Sequence, residues 1–427
     1  DTEDELYKEW VKQLTAQELE KLDFMDPIKK WCPLPTDPLL HIDLKKGHKP
    51  IQARRFKTPV HLLPHLKEFI ESMLAKGFIR PSKSPFSAPV LVIPKPRNPD
   101  GSSRGFRLVT DFRALNEAAE PYQHPIPDVN SMYEKLRNAK YISTLDLKNG
   151  YWNAGLDEES RPLTAFATEF GLYEYNVVPQ GLICSAAFFQ HWVEAKLRRY
   201  GVLFEHMSVS ASESTGDTGH EADNGSDRAH DDMGRYTGTE PIAVGKLKGE
   251  CGFVAVYIDD LIVFSPDAES HKRHLLQLLR ILSKERLYLN NSKSHYFCKY
   301  TRYLGAVVGN GMLLMCPEKV RSITNMPVQH DQTSIKAFLG AAGFYRRWIA
   351  DFAKMIQPLN DLLKKGIDVP TEWGKDPTRY DNAIKFLKEA MTSYPILRQP
   401  DFEREFKLHT DACDYAIGAA LVQAHDT

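Results

Sequence analysis

The stretch Val254–Ser265, VAVYIDDLIVFS, sets two adjacent aspartates, Asp259 and Asp260, inside an otherwise apolar run. Rich in Val, Ile, Phe and Tyr, it reads as two short strands, 254–258 and 261–264, with both acids at the turn between them. Neighbouring carboxylates repel, and partial burial raises that cost unless a cation or a shared proton offsets it. Two readings are open. Asp suits turns because it hydrogen-bonds locally, so the pair can be a solvated hairpin tip. The other reading is a pair of ligands for a hard divalent cation such as Mg²⁺, which prefers carboxylate oxygens and uses one or two of them. That reading needs a third carboxylate.

Upstream, AKYISTLDLKNGYWNAGLD reads as a strand that ends at Asp146 and runs into a glycine turn and Tyr151, so Asp146 is the candidate third acid. Before it come a short acidic helix (DELYKEWVKQL), a Pro-rich linker (CPLPTDP) and an extended segment (LLHIDLKKG). A helical pattern, HLLPHLKEFIESMLAKG, then stops at Gly77, and PVLVIPKP and RGFRLVTDFRALN alternate as paired strands around NPDGSS. After Asp146 a hairpin (TAFATEFGLYEYNVVP) and an amphipathic helix (SAAFFQHWVEAKLRRY) are expected. Downstream of the Asp pair follow a helix (HKRHLLQLLRILSKERL), a hairpin near YLGAVVGNGMLL, and helices over IKAFLGAAGFYRRWIADFAKM and YDNAIKFLKEAMTS. The last segment, EFKLHTDACDYAIGAALVQ, reads as strand, turn and strand, with Asp411 ending the first strand.

With 427 residues and 42% hydrophobic content, the chain can bury sizeable cores in about two to four domains or subdomains. No apolar run approaches the roughly 18 residues that cross a bilayer, and DTEDELYKEW has neither the charge nor the apolar core of a signal peptide, so no membrane partner is expected. A first residue of Asp suggests a piece of a longer polyprotein. The six cysteines, Cys32, Cys184, Cys251, Cys298, Cys316 and Cys413, form no CxxC pair and have no histidine at zinc spacing, which suits reduced thiols in an intracellular protein. The net charge of −1 does not advertise a nucleic-acid binder, but Glu205–Arg235 holds 8 acids and 2 bases. Without that segment the chain is at about +5, compatible with a phosphate-binding groove. Rich in Ser, Gly, Asp and Glu, residues 205–250 are expected as a disordered insertion, with a regulatory tail as the alternative.

One lone Asp and one Asp pair at strand ends of a mixed α/β segment can hold two metal ions about 3.5 to 4 Å apart. One ion lowers the pKa of an attacking hydroxyl and the other neutralises leaving phosphate oxygens, which is the chemistry of nucleotidyl transfer. YIDD (257–260), TLDLKNGY (144–151), FRLVTDFRALN (106–116), VPQGLICSAAFFQ (178–190) and FLGAAGFYRRWI (338–349) stand in the order found in reverse transcriptases. From about Leu40 to Gln423 the chain resembles the polymerase region, with the start of RNase H, of a gypsy-type long-terminal-repeat retrotransposon polyprotein.

That resemblance implies an α+β right-hand polymerase. Residues 1–59 would be an N-terminal extension, 60–299 fingers and palm, 300–397 thumb and connection, and 398–427 an incomplete RNase H-like α/β fragment. It implies an RNA-directed and DNA-directed DNA polymerase that extends a primer with dNTPs using two Mg²⁺ ions, with Mn²⁺ as an alternative. Asp146, Asp259 and Asp260 would be the metal-binding triad, with the Leu147 carbonyl as a further ligand. Lys95 and Arg107 would meet the incoming triphosphate, as a point charge and a forked donor suit phosphate. Tyr151 would exclude a ribose 2′-hydroxyl, and Gln180 and Gly181 would pack against the nucleotide sugar and template base. Asp111, Arg113 and Asn116 would act on the template strand, with the acid orienting the arginine, while Tyr303, Leu304 and Gly305 would grip the primer. Solvated strand residues, a core tyrosine and a plain β-turn are the bland alternatives for Lys95 and Arg107, for Tyr151 and for 303–305. The aromatic residues of 338–349 are expected in the core.

Asp411 would be the first acid of an RNase H site whose other acids lie beyond Thr427, so RNA cleavage is not expected of this chain alone. Implied partners are an RNA or DNA template with annealed primer and the rest of the polyprotein (protease, RNase H remainder, integrase). The implied location is a cytoplasmic particle or the nucleus. The sequence departs from the family at the acidic insertion, at Ala186, where proline is usual, and at Leu163, where lysine is common. Those departures keep a second class open: a catalytically decayed descendant that only binds nucleic acid or protein. A hydrolase with paired carboxylates fits poorly, because the acids are adjacent in sequence and accompanied by phosphate-type bases.

Overall fold

The computed structural model describes residues 5, 8–10, 12, 31–53, 56–95, 102–103, 105–204, 252–349, 351–392, 397–398, 405–413 and 416–423. The acidic insertion expected at 205–250, most of the turn NPDGSS and most of the N-terminal helix lie outside the described residues. The fold is built on a four-stranded antiparallel sheet in the order His295–Cys298, Tyr141–Asp146, Asp260–Ser265, Val254–Tyr257. The strands Val254–Tyr257 and Asp260–Ser265 bury residues on both faces, which answers why the run around the Asp pair shows no polar alternation. Val254, Val256, Leu261 and Val263 join one core, with the Ser185–Arg198 and Ala268–Lys284 helices. Ala255, Ile262 and Phe264 point the other way, into a second core with Met132, Tyr133 and the C-terminal helices. The period of two that defines a strand thus sorts alternate residues into two different cores.

A buried polar cluster ties the long helix to the first of those faces. His271 is fully buried, with Nε2 at 2.7 Å from Ser143 Oγ and Nδ1 at 2.9 Å from Ser265 Oγ. Burial holds its pKa down at about 3, with the neighbouring His274 acting in the same direction, so the ring stays neutral at any physiological pH. Asp267 starts this helix by accepting from Ser270 N, an acid N-cap repeated by Asp128, Asp331 and Asp368 on other helices.

A five-stranded sheet lies before and around the central strand in sequence: Ile79–Pro81, Gly171–Tyr175, Phe166–Thr168, Ala88–Pro94, Phe106–Thr110 in spatial order. The segment 31–53 is tied to the body by its backbone, with Ala53 N donating to Ser87 O at 3.0 Å beside the five-stranded sheet. Leu39–Leu40 pairs in parallel with Gly155–Leu156, and Leu40 and Ile42 are buried in the first core. Lys196, fully buried, forms ion pairs with Asp37 and, at 2.9 Å, with Glu285, fastening this segment to the helix beneath the sheet. Removing one partner of such a set leaves an uncompensated buried charge.

Beyond the central sheet, Thr301–Tyr303, Ala306–Gly309, Met312–Met315 and Leu397–Arg398 form a third sheet, packed with helices over Pro317–Thr324, Gln332–Gly343, Phe352–Asp361 and Pro377–Thr392. The single helix expected over IKAFLGAAGFYRRWIADFAKM is broken after Gly343. Tyr345 Oη donates to Gly305 O and Trp348 Nε1 to Leu313 O, at 2.7 and 3.1 Å, drawing the chain onto the hairpin, and Asp351 takes φ 53° before the next helix. Phe338, Tyr345 and Trp348 are buried, as their core reading expects, whereas Phe344 departs from that expectation: it is 46% exposed, its ring lying against Gly305 at the hairpin turn. Lys407–Cys413 and Ala416–Val422 form a separate antiparallel pair, with Asp411 opposite Gly418. Among the described residues Cys32, Cys184, Cys298 and Cys316 are free thiols, and no helix is long and apolar enough to cross a membrane.

The two ends flanking the acidic segment meet. Phe204 N donates to Val254 O at 2.8 Å and Phe253 N to Val202 O at 3.0 Å, so the chain leaves and re-enters the sheet edge at one place. A Cβ on Gly252 would lie 2.0 Å from Leu203 O, so this close approach requires glycine. Because closure cost grows only slowly with loop length, a long excursion from a paired stem disturbs the sheet little.

Candidate active site

Asp146 ends its strand directly opposite Asp260, which begins the next one. Directly paired residues share a face with Cβ atoms about 4.5–5.5 Å apart, so the two carboxylates necessarily project together. Asp260 also pairs with Tyr257, leaving a two-residue turn of Ile258 and Asp259. Ile258 takes φ 57° there, a left-handed conformation that costs a β-branched residue about 1–3 kcal/mol. The strained turn holds the third carboxylate at the same end of the sheet as the other two. Gln190 meets the turn from the Ser185–Arg198 helix: its Oε1 accepts from Ile258 N at 2.5 Å and its Nε2 donates to Val256 O at 3.1 Å.

The backbone around Asp146 is equally held. Asp146 N donates to Ser294 Oγ at 3.1 Å, Asp146 O accepts from Asn290 N at 2.8 Å, and Ser294 Oγ donates to Asn290 O at 3.0 Å. The Leu147 carbonyl has only a stretched 3.4 Å contact from Gly150 N, leaving a lone pair available. Lys293 Nζ stands 3.5 Å from Asp146 Oδ2 on a side chain that is 66% exposed. Burial pushes the Asp260 carboxyl up to about 6, with repulsion from Asp259 and Asp146 adding and Lys293 opposing. Asp259 is exposed at the turn, yet the protein packed around it withdraws enough water to raise its pKa, helped by Asp146.

The donor set fits an Mg²⁺ site of the open kind. All candidate ligands are hard oxygens, and their mutual repulsion is what a cation relieves. Among the described residues no group of three or more His, Cys, Asp or Glu side chains stands close enough to hold a metal ion by itself, so an ion here would also need the Leu147 carbonyl, waters or substrate phosphates.

The remaining candidates fall into four groups. Lys95 and Arg107 lie at the outer end of the Ala88–Pro94 and Phe106–Thr110 pair, where Arg107 opposes Ile93 and Lys95 N donates to Gly105 O at 2.9 Å. Both side chains are exposed and have no ion-pair partner among the described residues. Tyr151 sits on the one-turn helix Gly150–Asn153, its ring edge-on to Phe189 at 5.1 Å. Burial raises its pKa, as does Asp259, which puts the phenol within electrostatic reach of the carboxylates.

Asn116 braces the loop beside it. Its Nδ2 donates to Gly181 O and its Oδ1 accepts from Ile183 N, both at 2.8 Å, so it clamps the Gln180–Gly181 turn. That clamp leaves Gln180 exposed and seats Gly181, at φ 96°, over Thr110 and Phe112. Asp111 holds Arg113 through both carboxylate oxygens, and the guanidinium keeps the Asp111 carboxyl below its ordinary range. Arg113 remains 83% exposed, so the acid orients it without hiding it. At the hairpin turn, Leu304 and Gly305 take φ 46° and 87°, with Leu304 O accepting from Tyr133 Oη and Gly305 O from Tyr345 Oη, both at 2.7 Å. Tyr303 is 4% exposed, its hydroxyl has no hydrogen-bond partner among the described residues, and Asp260 is among the charges that act on it. Gln190, Lys293, Ser294, Tyr133 and Tyr345 were not singled out from sequence. A glutamine on an otherwise apolar helix face, FFQHWV, was the one available signal.

Three carboxylates at one end of an antiparallel sheet, with a basic hairpin in the same chain, suit phosphoryl chemistry on bound metal ions. The chain matches the family model for reverse transcriptase (RNA-dependent DNA polymerase) over residues 93–211 and 235–308, and that for the RNase H-like domain found in reverse transcriptase over 377–427. The chain belongs to the reverse transcriptase family. The first match is interrupted within the acidic segment. Among relatives, it is 34% identical over 381 residues to the retrovirus-related Pol polyprotein from transposon opus of Drosophila melanogaster, covering 88% of this chain and 33% of that protein. It is 30% identical to those from transposons 297 and gypsy of the same fly, over 96% and 88% of this chain and 33% and 32% of theirs. These relatives place it with the gypsy-type Pol polyproteins, of which it spans about a third. In fold it resembles the foamy viral protease-reverse transcriptase in complex with double-stranded DNA, at TM-score 0.70 and 19% identity, covering 98% of this chain and 65% of that one. The same viral protein with an RNA/DNA hybrid gives a TM-score of 0.66 at 19% identity, over 98% of this chain and 52% of that one.

Proposed function

We propose that the chain is an RNA-directed and DNA-directed DNA polymerase, working within a Pol polyprotein, that extends the 3′ end of an annealed primer with dNTPs. The cross-strand pairing of Asp146 with Asp260, with Asp259 held in the adjoining strained turn, carries this reading. Asp146, Asp259, Asp260 and the Leu147 carbonyl would hold Mg²⁺, two ions in all, with Mn²⁺ able to substitute. When bound, such ions acidify the primer hydroxyl and neutralise charge on the departing pyrophosphate.

The protein's own part is positioning and electrostatics. Lys95 and Arg107 draw the triphosphate onto the finger hairpin. Tyr151 stands where a ribose 2′-hydroxyl would collide. Gln180 and Gly181, fixed by Asn116, support the sugar and the template base. Arg113, oriented by Asp111, meets the template strand, and the Tyr303–Gly305 turn supports the primer end. The structural neighbours bound to double-stranded DNA and to an RNA/DNA hybrid support a duplex as the substrate class.

Extension of a DNA primer on poly-rA with dTTP tests the proposal. It requires incorporation that depends on both template and Mg²⁺. A folded protein that binds the primer-template and adds nothing would instead identify a fold whose chemistry has been lost.

A further inference from the structure

Gln190 is fully buried, and its amide is fixed at both ends. Oε1 accepts from Ile258 N, while Nε2 donates to Val256 O and, at 2.5 Å, to Glu194 Oε1. Glu194 lies one helical turn further along the same helix face. Its other oxygen lies 3.3 Å from His124 Nε2 and 3.7 Å from Arg198. The Val256 carbonyl can only accept and the Ile258 N–H can only donate, which settles which way the amide points: nitrogen toward Val256 and Glu194, oxygen toward Ile258. If the amide were flipped, its nitrogen would face the Ile258 N–H, donor against donor. Ile258 is also the residue with φ 57°, in the turn that carries Asp259.

We propose that Gln190, its amide nitrogen held by Val256 O and Glu194, is a positioning residue that holds the Ile258–Asp259 turn in its left-handed conformation and thereby keeps Asp259 and Asp260 aligned with Asp146 for metal. This rests on the reading of those aspartates as metal ligands. Gln190 touches neither metal nor substrate and acts only through the backbone of 256–258. Glu194 acts one step further out, through Gln190.

The tests separate this role from plain core packing and from polymerase activity itself. In metal-free protein, hydrogen–deuterium exchange is read on the Ile258 amide and on the neighbouring strand 141–146. Gln190→Met, which keeps volume and burial, should raise Ile258 exchange at least tenfold and leave 141–146 unchanged. Mn²⁺ titration followed by electron paramagnetic resonance should show about tenfold weaker binding, and kcat for extension should fall more than tenfold at unchanged primer-template Kd. Glu194→Gln, which can still present an acceptor, should stay within about threefold of the parent, whereas Glu194→Met should follow Gln190→Met. The proposal is overturned if Gln190→Met leaves Ile258 exchange and Mn²⁺ affinity unchanged, or if exchange rises equally across the whole sheet. A parent that binds Mn²⁺ but extends no primer would overturn the polymerase reading while leaving the exchange and Mn²⁺ results to decide Gln190.

Discussion

Replacing Asp260 with asparagine should make the metal-free protein more stable at neutral pH. Burial first, and then the neighbouring Asp259 and Asp146, lift the Asp260 carboxyl from 3.8 to about 6. A carboxyl whose folded pKa lies above its unfolded value binds its proton more tightly in the native state. Its protonated form therefore supports folding at acid pH, and that support is lost as pH rises from about 4 through about 6. The shift corresponds to at most about 3 kcal/mol at pH 8. Allowing for the cost of burying the unpartnered amide that replaces the carboxylate, a net gain of about 1–2 kcal/mol is expected. Urea unfolding of parent and Asp260→Asn in EDTA, followed by tryptophan fluorescence at pH 4.5 and pH 8, measures it. The gain should be present at pH 8 and nearly absent at pH 4.5. Saturating Mg²⁺ should stabilise the parent at pH 8 and not the variant, because a ligand stabilises only the state that binds it. An equal effect of the substitution at both pH values, or a loss at pH 8, would refute the electrostatic account of this site.

Further expectations rest on particular contacts. Tyr151→Ala should raise incorporation of ribonucleotides relative to deoxynucleotides by about tenfold or more in single-nucleotide extension, equivalent to about 1.4 kcal/mol; an unchanged ratio would remove Tyr151 from sugar selection. Gly252→Ala should destabilise by about 1–3 kcal/mol in urea unfolding, because its Cβ would meet Leu203 O at 2.0 Å and no side-chain rotation can relieve a backbone clash. Replacing 206–250 with about five glycine and serine residues should leave stability unchanged or raise it by about 1–2 kcal/mol, since the stem is already paired. A marked loss of stability would show that the segment supports the fold.

What the sequence revealed and what it hid divide along a physical line. The strands around both acidic sites were legible because their apolar runs are local and end at charged residues. The residue types at Asp146, Asp259 and Asp260 also left few chemistries open. The strand His295–Cys298 was not legible: HYFC is four residues long, and it becomes a strand only by pairing with Tyr141–Asp146. The helix Pro317–Thr324 carries one local signal, proline at its first position. The break after Gly343 could not be read from the sequence, since Tyr345 and Trp348 are pulled out of the helical path by carbonyls 40 and 35 residues away. Asn116 shows the same limit. Nothing in its neighbours along the chain shows that its amide closes on a turn 65 residues further along.

Primer extension by the parent beside Asp259→Asn, with primer-template affinity measured on both proteins, tests the central claim most directly. Asp259 stands at the turn as a proposed metal ligand and touches no phosphate in this account. The variant should therefore lose extension by at least a thousandfold while its affinity for the primer-template stays within a few fold. Retained extension, or an equal loss of extension and binding, would contradict the assignment of these aspartates to metal-dependent polymerisation.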